Sequence, residues 1–170
     1  FLSSKDFLFH QSLLNGKTFI DGIGIKIFFL FLNKNNFLRV TGFRFTNFII
    51  KNCFNKRIFF LGSEKKKLKL IKKNISEINS SHIINYFSPP FMEKFDSNTN
   101  AKILKKIKEF KPDIVFVGLG APKQEKWAFE NKHNLKNYLV CNVGAVFNYY
   151  SLKESKRKFI LIMSNSWLEW

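Results

Sequence analysis

Short apolar runs rich in Ile, Val and Phe alternate along the chain with longer stretches in which apolar residues recur at helical spacing. The short runs predict strands over residues 18–20, 57–61, 83–87, 113–117 and 138–143. The longer stretches predict helices over residues 6–15, 43–53, 64–75, 98–110 and 123–131. Because strands and helices alternate, we expect an α/β fold: a Rossmann-like, mainly parallel sheet flanked by helices, in a single domain over residues 1–170.

The length of the chain allows a core without covalent or metal staples. With 170 residues, 45% of them hydrophobic, a folded domain buries enough apolar surface to be stable on its own. Cys53 and Cys141 are isolated in sequence, which is typical of free core thiols in a reducing cytoplasm. The three histidines, His10, His82 and His133, have no metal-ligand spacing, and we expect them at the surface.

The chain is strongly basic, with 29 Lys and Arg against 12 Asp and Glu, a formal charge of +17. This excess fits nucleic acid, an anionic membrane surface, or a drift in composition on solvated helix faces. No zinc-finger spacing, aromatic RNA-binding strand or helix-turn-helix pattern accompanies it, so we expect no nucleic acid partner. No apolar stretch approaches the roughly 20 residues that a spanning helix needs, so any membrane contact is expected to be peripheral.

Three predicted strands end in glycine-containing turns: Gly62-Ser63, residues 118–122, and Gly144-Ala145. In open α/β sheets, ligands bind outside the carboxyl ends of strands, where the amides of helix N-termini suit phosphate. The spacing Gly118-x-Gly120 lacks the third glycine of the dinucleotide fingerprint. A generic strand-to-helix turn therefore explains this pattern as well as a phosphate site does.

The residues that follow the turn at 118–122 favour a ligand site over a plain turn. Glu125 in the first turn of a helix complements the helix dipole, whereas Lys123 opposes it and calls for an anion or open solvent. A bound diphosphate would satisfy Lys123, and Gln124 could both donate to and accept from a base or sugar edge. These three residues point to a ligand at this turn.

The segment Gly118-Leu119-Gly120-Ala121-Pro122-Lys123-Gln124-Glu125-Lys126-Trp127 resembles the signature of the WecG/TagA/CpsF glycosyltransferases. Further segments fall in the order of that family over residues 5–170: Asp21-Gly22-Ile23-Gly24-Ile25, Thr41-Gly42, Phe60-Leu61-Gly62-Ser63, residues 86–91, 143–148 and 168–170.

The resemblance implies a hexosyltransferase that moves N-acetylmannosamine, or its uronic acid, from a UDP-sugar donor. The implied acceptor is a sugar linked to a polyprenyl diphosphate, in cell-surface polysaccharide or teichoic acid synthesis. The implied location is cytoplasmic, at the inner face of the bacterial plasma membrane, with the anionic membrane surface as a partner. An oligomeric state is left open.

The resemblance also implies site residues. Asp21 matches the proposed base of an inverting transfer, although an aspartate before glycine is also typical of a plain turn. The implied substrate-binding residues are Gly22, Gly24, Thr41, Gly42, Gly62, Ser63, Gly118, Gly120, Ala121, Pro122, Lys123, Gln124, Glu125, Gly144 and Asn148. The chain's four aspartates are far apart in sequence, so we expect no metal and no other cofactor.

Several positions depart from the family pattern. By this resemblance, Phe43 and Asn148 stand where the family has aspartates. We also expect the family's first strand and its C-terminal appendage to lie outside the given sequence. Two alternatives therefore stay open: an exopolysaccharide transferase that uses UDP-glucose, and an inactive basic relic that binds membrane or nucleic acid.

Overall fold

The computed structural model describes residues 6–17 and 41–157. The elements follow the chain in the order α1 (Phe7–Leu14), α2 (Gly42–Asn52), β1 (Arg57–Leu61), α3 (Lys65–Ile78), β2 (Ile83–Phe87), α4 (Ser97–Phe110), β3 (Ile114–Val117), α5 (Lys123–Glu130), α6 (Lys132–Leu135), β4 (Leu139–Asn142) and α7 (Val146–Tyr150). Four of the five predicted strands are present; the fifth, over residues 18–20, lies outside the described residues. The helices α6 and α7 were not predicted, because four or five residues are too few to show a helical period.

The four strands form one parallel sheet in the order β2-β1-β3-β4. Phe60 at the centre pairs with Tyr86 on one side and Phe116 on the other. The chain runs from β1 to one side to form β2, and then returns across the sheet to form β3 and β4. The point at which this order reverses lies between β1 and β3. The prediction of a Rossmann-like parallel sheet flanked by helices is therefore confirmed.

Two apolar cores lie on opposite faces of the sheet, because successive side chains of a strand point to opposite faces. On one face, Phe60 and Phe116 stack with ring centroids 5.4 Å apart and are covered by α2, α3 and α7. On the other face, Phe59 and Val115 are covered by α4, α5 and α6. The result is a three-layer arrangement that fixes the positions of the strand ends.

His82 corrects one expectation, because it is buried at 5% exposure rather than at the surface. Its Nε2 lies 3.1 Å from the Ile50 carbonyl oxygen, and its Nδ1 accepts a hydrogen bond from the Lys56 amide at 3.3 Å. His82 thus joins the end of α2 to the segment before β1, a contact between distant residues that local pattern does not reveal. His10 and His133 are exposed, as expected.

Both cysteines are free thiols, as expected. Burial raises the pKa of the Cys141 thiol on β4 to about 12. A thiol with such a pKa stays protonated at neutral pH, so Cys141 behaves as a small core residue.

The lysines of α3 and α4 lie mainly on exposed helix faces. Within residues 6–17 and 41–157, no helix combines the length and the apolar character that a membrane crossing requires.

Candidate functional site

The turns that follow the four strands all lie at one edge of the sheet, because the strands are parallel. We call this the carboxyl edge: residues 62–64 after β1, 88–96 after β2, 118–122 after β3 and 143–145 after β4. Backbone hydrogen bonds extend the strand pairing into these turns, from the amides of Gly62, Gly118 and Val143 to Phe87, Leu61 and Val117 at 3.1, 2.9 and 3.0 Å. The strand pairing therefore places the turns side by side.

Gly62 and Gly118 meet where β1 and β3 separate. A Cβ added to Gly62 would lie 2.6 Å from the Gly118 carbonyl oxygen, and the φ of Gly62 is +106°. Ser63 also has a positive φ, +67°, and its carbonyl accepts a hydrogen bond from the Ser88 hydroxyl at 2.7 Å. Only a glycine at position 62 allows the two turns to approach this closely.

The turn after β3 is packed at its beginning and open at its tip. A Cβ added to Gly118 would lie 2.7 Å from the Phe147 ring of α7. Gly120, with a φ of +82°, has no neighbouring atom within 4 Å of such a Cβ position, and Ala121 is exposed. Pro122 follows through a cis peptide bond and precedes the first residue of α5.

The start of α2 joins the carboxyl edge next to β4. The Thr41 hydroxyl oxygen accepts a hydrogen bond from the Arg44 amide at 3.1 Å and so caps the helix. A Cβ on Gly42 would lie 3.7 Å from the Val143 carbonyl oxygen. The Phe43 ring packs edge-on against Tyr149, with ring centroids 4.4 Å apart, so Phe43 has a packing role here.

Lys123 is partly buried and has two partners within the protein. Its ammonium group donates a hydrogen bond to the Met92 carbonyl and lies 4.0 Å from the centroid of the Phe95 ring. Burial lowers the pKa of Lys123. These partners come from the segment after β2, about thirty residues earlier, so sequence reasoning had no signal for them.

Gln124 and Glu125 form a hydrogen-bonded pair at the start of α5. Gln124 is 6% exposed, and its Nε2 donates to Glu125 Oε1 at 2.7 Å. A Cβ added to Gly144, whose φ is +51°, would lie 3.7 Å from Gln124 Nε2. Gln124 Oε1 and Glu125 Oε2 are buried and have no hydrogen-bond partner among the described residues. The sequence placed both residues in the site but did not predict this pairing.

Cationic side chains also lie at the carboxyl edge, on the first turns of α2 and α3. The Lys67 ammonium on α3 donates a hydrogen bond to Asn148 Oδ1 on α7 at 3.3 Å. Lys65, Lys66 and Arg44 are exposed in the first turns of α3 and α2. The charges of these side chains add to the positive dipole ends of α2 and α3. This part of the carboxyl edge, the positive rim, therefore has a potential that favours an anionic ligand.

Asp21, Gly22 and Gly24 lie outside the described residues. The other thirteen predicted site residues lie on the carboxyl-edge turns or on the first turns of α2, α5 and α7 beside them: Thr41, Gly42, Gly62, Ser63, Gly118, Gly120, Ala121, Pro122, Lys123, Gln124, Glu125, Gly144 and Asn148. Sequence reasoning missed Lys67 and the segment 88–96 as neighbours of the site, although Pro89-Pro90 marks a turn after β2.

The three aspartates of the described residues have structural partners. Asp6 pairs with Lys126 and caps α1, Asp96 caps α4 through the Thr99 amide at 2.6 Å, and Asp113 accepts from the Arg57 amide at 2.7 Å. Hydrogen bonds from Lys126 and from Thr99 lower the pKa values of Asp6 and Asp96. In the part of the chain that the structure describes, no three His, Cys, Asp or Glu side chains are grouped as metal ligands.

The fold and the carboxyl edge together define a Rossmann-like α/β protein whose candidate ligand site lies where its strand order reverses. The chain belongs to the WecG/TagA/CpsF family of glycosyl transferases, whose family model matches residues 5–170.

Two curated relatives share the name N-acetylglucosaminyldiphosphoundecaprenol N-acetyl-beta-D-mannosaminyltransferase. A protein of Bacillus subtilis (strain 168) is 28% identical over 162 residues, which are 93% of this chain and 60% of that protein. A protein of Staphylococcus aureus (strain NCTC 8325) is 32% identical over 68 residues, which are 40% of this chain and 26% of that protein. The chain thus matches about a quarter of one relative's length and 60% of the other's.

Proposed function

We propose that this protein transfers an N-acetylmannosaminyl group, or its uronic acid, from a UDP-sugar to a sugar linked to a polyprenyl diphosphate. The observation that carries the proposal is the convergence of the family's motif residues on one carboxyl edge, next to a positive rim. The names of the two relatives support the sugar and the lipid-linked acceptor. This activity would serve cell-envelope polysaccharide synthesis.

Asp21 is the base of the proposed reaction. Its carboxylate takes the proton of the acceptor hydroxyl while that oxygen bonds to the anomeric carbon of the donor sugar, with inversion. The bond between this carbon and the diphosphate oxygen breaks, and UDP leaves with the electron pair. The structural roles of Asp6, Asp96 and Asp113 support this choice among the four aspartates.

The leaving diphosphate is held without a metal in this proposal. Amides further along the turns after β1 and β3, beyond those of Gly62 and Gly118 that donate to Phe87 and Leu61, supply the compensating positive charge together with the ammonium of Lys123. Lys123 would exchange the Met92 carbonyl for a phosphate oxygen, which is a stronger acceptor because it is ionised. Partial burial lowers the pKa of Lys123, and an adjacent phosphate would favour its charged form again.

We propose the inner face of the plasma membrane as the location of the reaction, because the proposed acceptor is linked to a lipid. The formal charge of +17 and the exposed lysines of α3 support peripheral contact with anionic lipid, each Lys contributing about 1 kcal/mol near the surface.

Calorimetric titration of the protein with UDP, UDP-N-acetylmannosamine and UDP-glucose, with and without EDTA, tests the donor site. We expect saturable binding that EDTA does not change and that Gln124→Ala weakens at least tenfold, while Gln11→Ala on α1 binds like the unaltered protein. Preference for UDP-glucose would favour the exopolysaccharide alternative. Absence of binding by all three compounds, together with salt-dependent affinity for anionic vesicles or DNA, would overturn the proposal in favour of the basic relic.

A further inference from the structure

We propose that Glu125 is a positioning residue that fixes the side-chain amide of Gln124, so that the pair offers two acceptor oxygens to N–H or O–H donors of the ligand. This inference rests on the proposed function for the identity of the ligand, a UDP-sugar.

The hydrogen bond within the pair sets the orientation of the amide. Gln124 is held in a buried position beside Gly144, and its Nε2 is 2.7 Å from Glu125 Oε1. A carboxylate accepts hydrogen bonds but cannot donate them, so it selects the NH₂ end of the amide. The Gln124 oxygen must then point elsewhere, and it has no donor within the described residues.

The two remaining oxygens require donors. Burial of an amide oxygen without a partner is unfavourable, and burial of a carboxylate oxygen is more so. Gln124 Oε1 and Glu125 Oε2 are both in this condition, on adjacent residues in the first turn of one helix. A ligand that brings N–H or O–H groups to this place would satisfy both oxygens.

Phosphate does not have the required chemistry. At neutral pH its oxygens are acceptors, and the Glu125 carboxylate repels them. Lys123 turns the other way, towards Met92 in the segment after β2, whereas Gln124 meets the turn after β4. The diphosphate therefore lies on the Lys123 side, and the Gln124 side receives hydroxyl or amide N–H groups, either from the transferred sugar or from the uridine.

A set of variants of the protein tests the inference by titration with UDP-N-acetylmannosamine and with UDP. We expect Glu125→Met to weaken binding of the UDP-sugar at least tenfold, and Glu125→Gln to restore part of the loss because its oxygen still accepts from Gln124. Glu130→Met, at the far end of the same helix, is the matched control and should bind like the unaltered protein. If UDP binding falls equally, the donors are on the uridine; if it is unchanged, they are on the sugar.

Binding of the UDP-sugar by Glu125→Met within twofold of the unaltered protein, or tighter binding, would overturn the inference. A second readout needs no ligand: the side-chain amide resonances of Gln124, assigned by their loss in Gln124→Ala, should shift in Glu125→Met and not in Glu130→Met. Unshifted resonances would show that Glu125 does not position the amide. Failure of the unaltered protein to bind any UDP compound would instead overturn the proposed function, while the resonances still decide the positioning role.

Discussion

Gly62 and Gly118 approach each other so closely that a Cβ on Gly62 would lie 2.6 Å from the Gly118 carbonyl oxygen. This contact joins the turns after β1 and β3 at the point where the strand order reverses. In open α/β sheets, the crevice for a ligand lies at this point. The glycine at position 62 therefore sets the backbone shape of the proposed diphosphate site.

Substitution of Gly62 should lower the stability of the fold through backbone strain and through a clash with Gly118. We expect Gly62→Ala to lower the free energy of unfolding by about 3 kcal/mol, from both backbone strain and displacement of Gly118. Gly120→Ala has the strain of a positive φ without a neighbouring atom, so it should cost about 1 kcal/mol. Urea denaturation measures both variants, and equal losses would contradict the close contact.

Asn74 on α3 should stabilise the end of α7. Its Nδ2 donates to the carbonyls of Tyr150 and Leu152 at 2.7 and 3.0 Å, and the side chain is buried. We expect Asn74→Ala to lower the free energy of unfolding by about 2 kcal/mol, because two carbonyls lose their donor. Asn52→Ala removes one exposed hydrogen bond to Phe48 and should change stability by less than about 0.5 kcal/mol. A loss in Asn74→Ala no greater than in Asn52→Ala would refute this stabilising role.

Cys141 should make the folded state less stable in alkali. Burial raises its pKa from the ordinary 9.0 to about 12, so above pH 9 the unfolded chain loses a proton that the folded chain retains. The contribution is fully present below pH 9 and is lost as the pH rises towards 12. Between pH 8 and pH 10 this should cost about 1 kcal/mol. The free energy of unfolding should fall less steeply over this range in Cys141→Ala, and parallel curves would exclude the effect.

Lys123 should matter for the diphosphate and not for the nucleoside. Lys123→Met keeps an unbranched apolar side chain but removes the charge that lies over the Phe95 ring. We expect it to weaken UDP binding about tenfold, the size of a charge-assisted hydrogen bond, and to leave uridine binding unchanged. Lys94→Met is the control. Lys94 is exposed, lies in the segment 88–96 that also contains Phe95, and pairs with Glu130 at 2.9 Å. Equal effects of the two variants on UDP binding would show that only general charge is involved.

The sequence by itself determined the longer helices and the four described strands, although not the short helices α6 and α7. The strands at 57–61 and 83–87 have their predicted bounds, because each run of apolar and β-branched or aromatic residues is bounded by turn residues. The motif from Gly118 to Trp127 is enough to indicate the family. Both the strand pattern and the motif depend on residues that are close together in the chain, so a single sequence is enough to identify them.

Only the tertiary structure decided which side chains meet. The burial of His82 against Ile50, the contact of Lys123 with Met92 and Phe95, and the placement of Gln124 against Gly144 join residues 20 to 32 positions apart in the chain. Such contacts depend on the order and register of the strands, which bring distant turns together at one edge. The local sequence predicts where the turns are, but the order of the strands in the parallel sheet decides which turns lie next to each other.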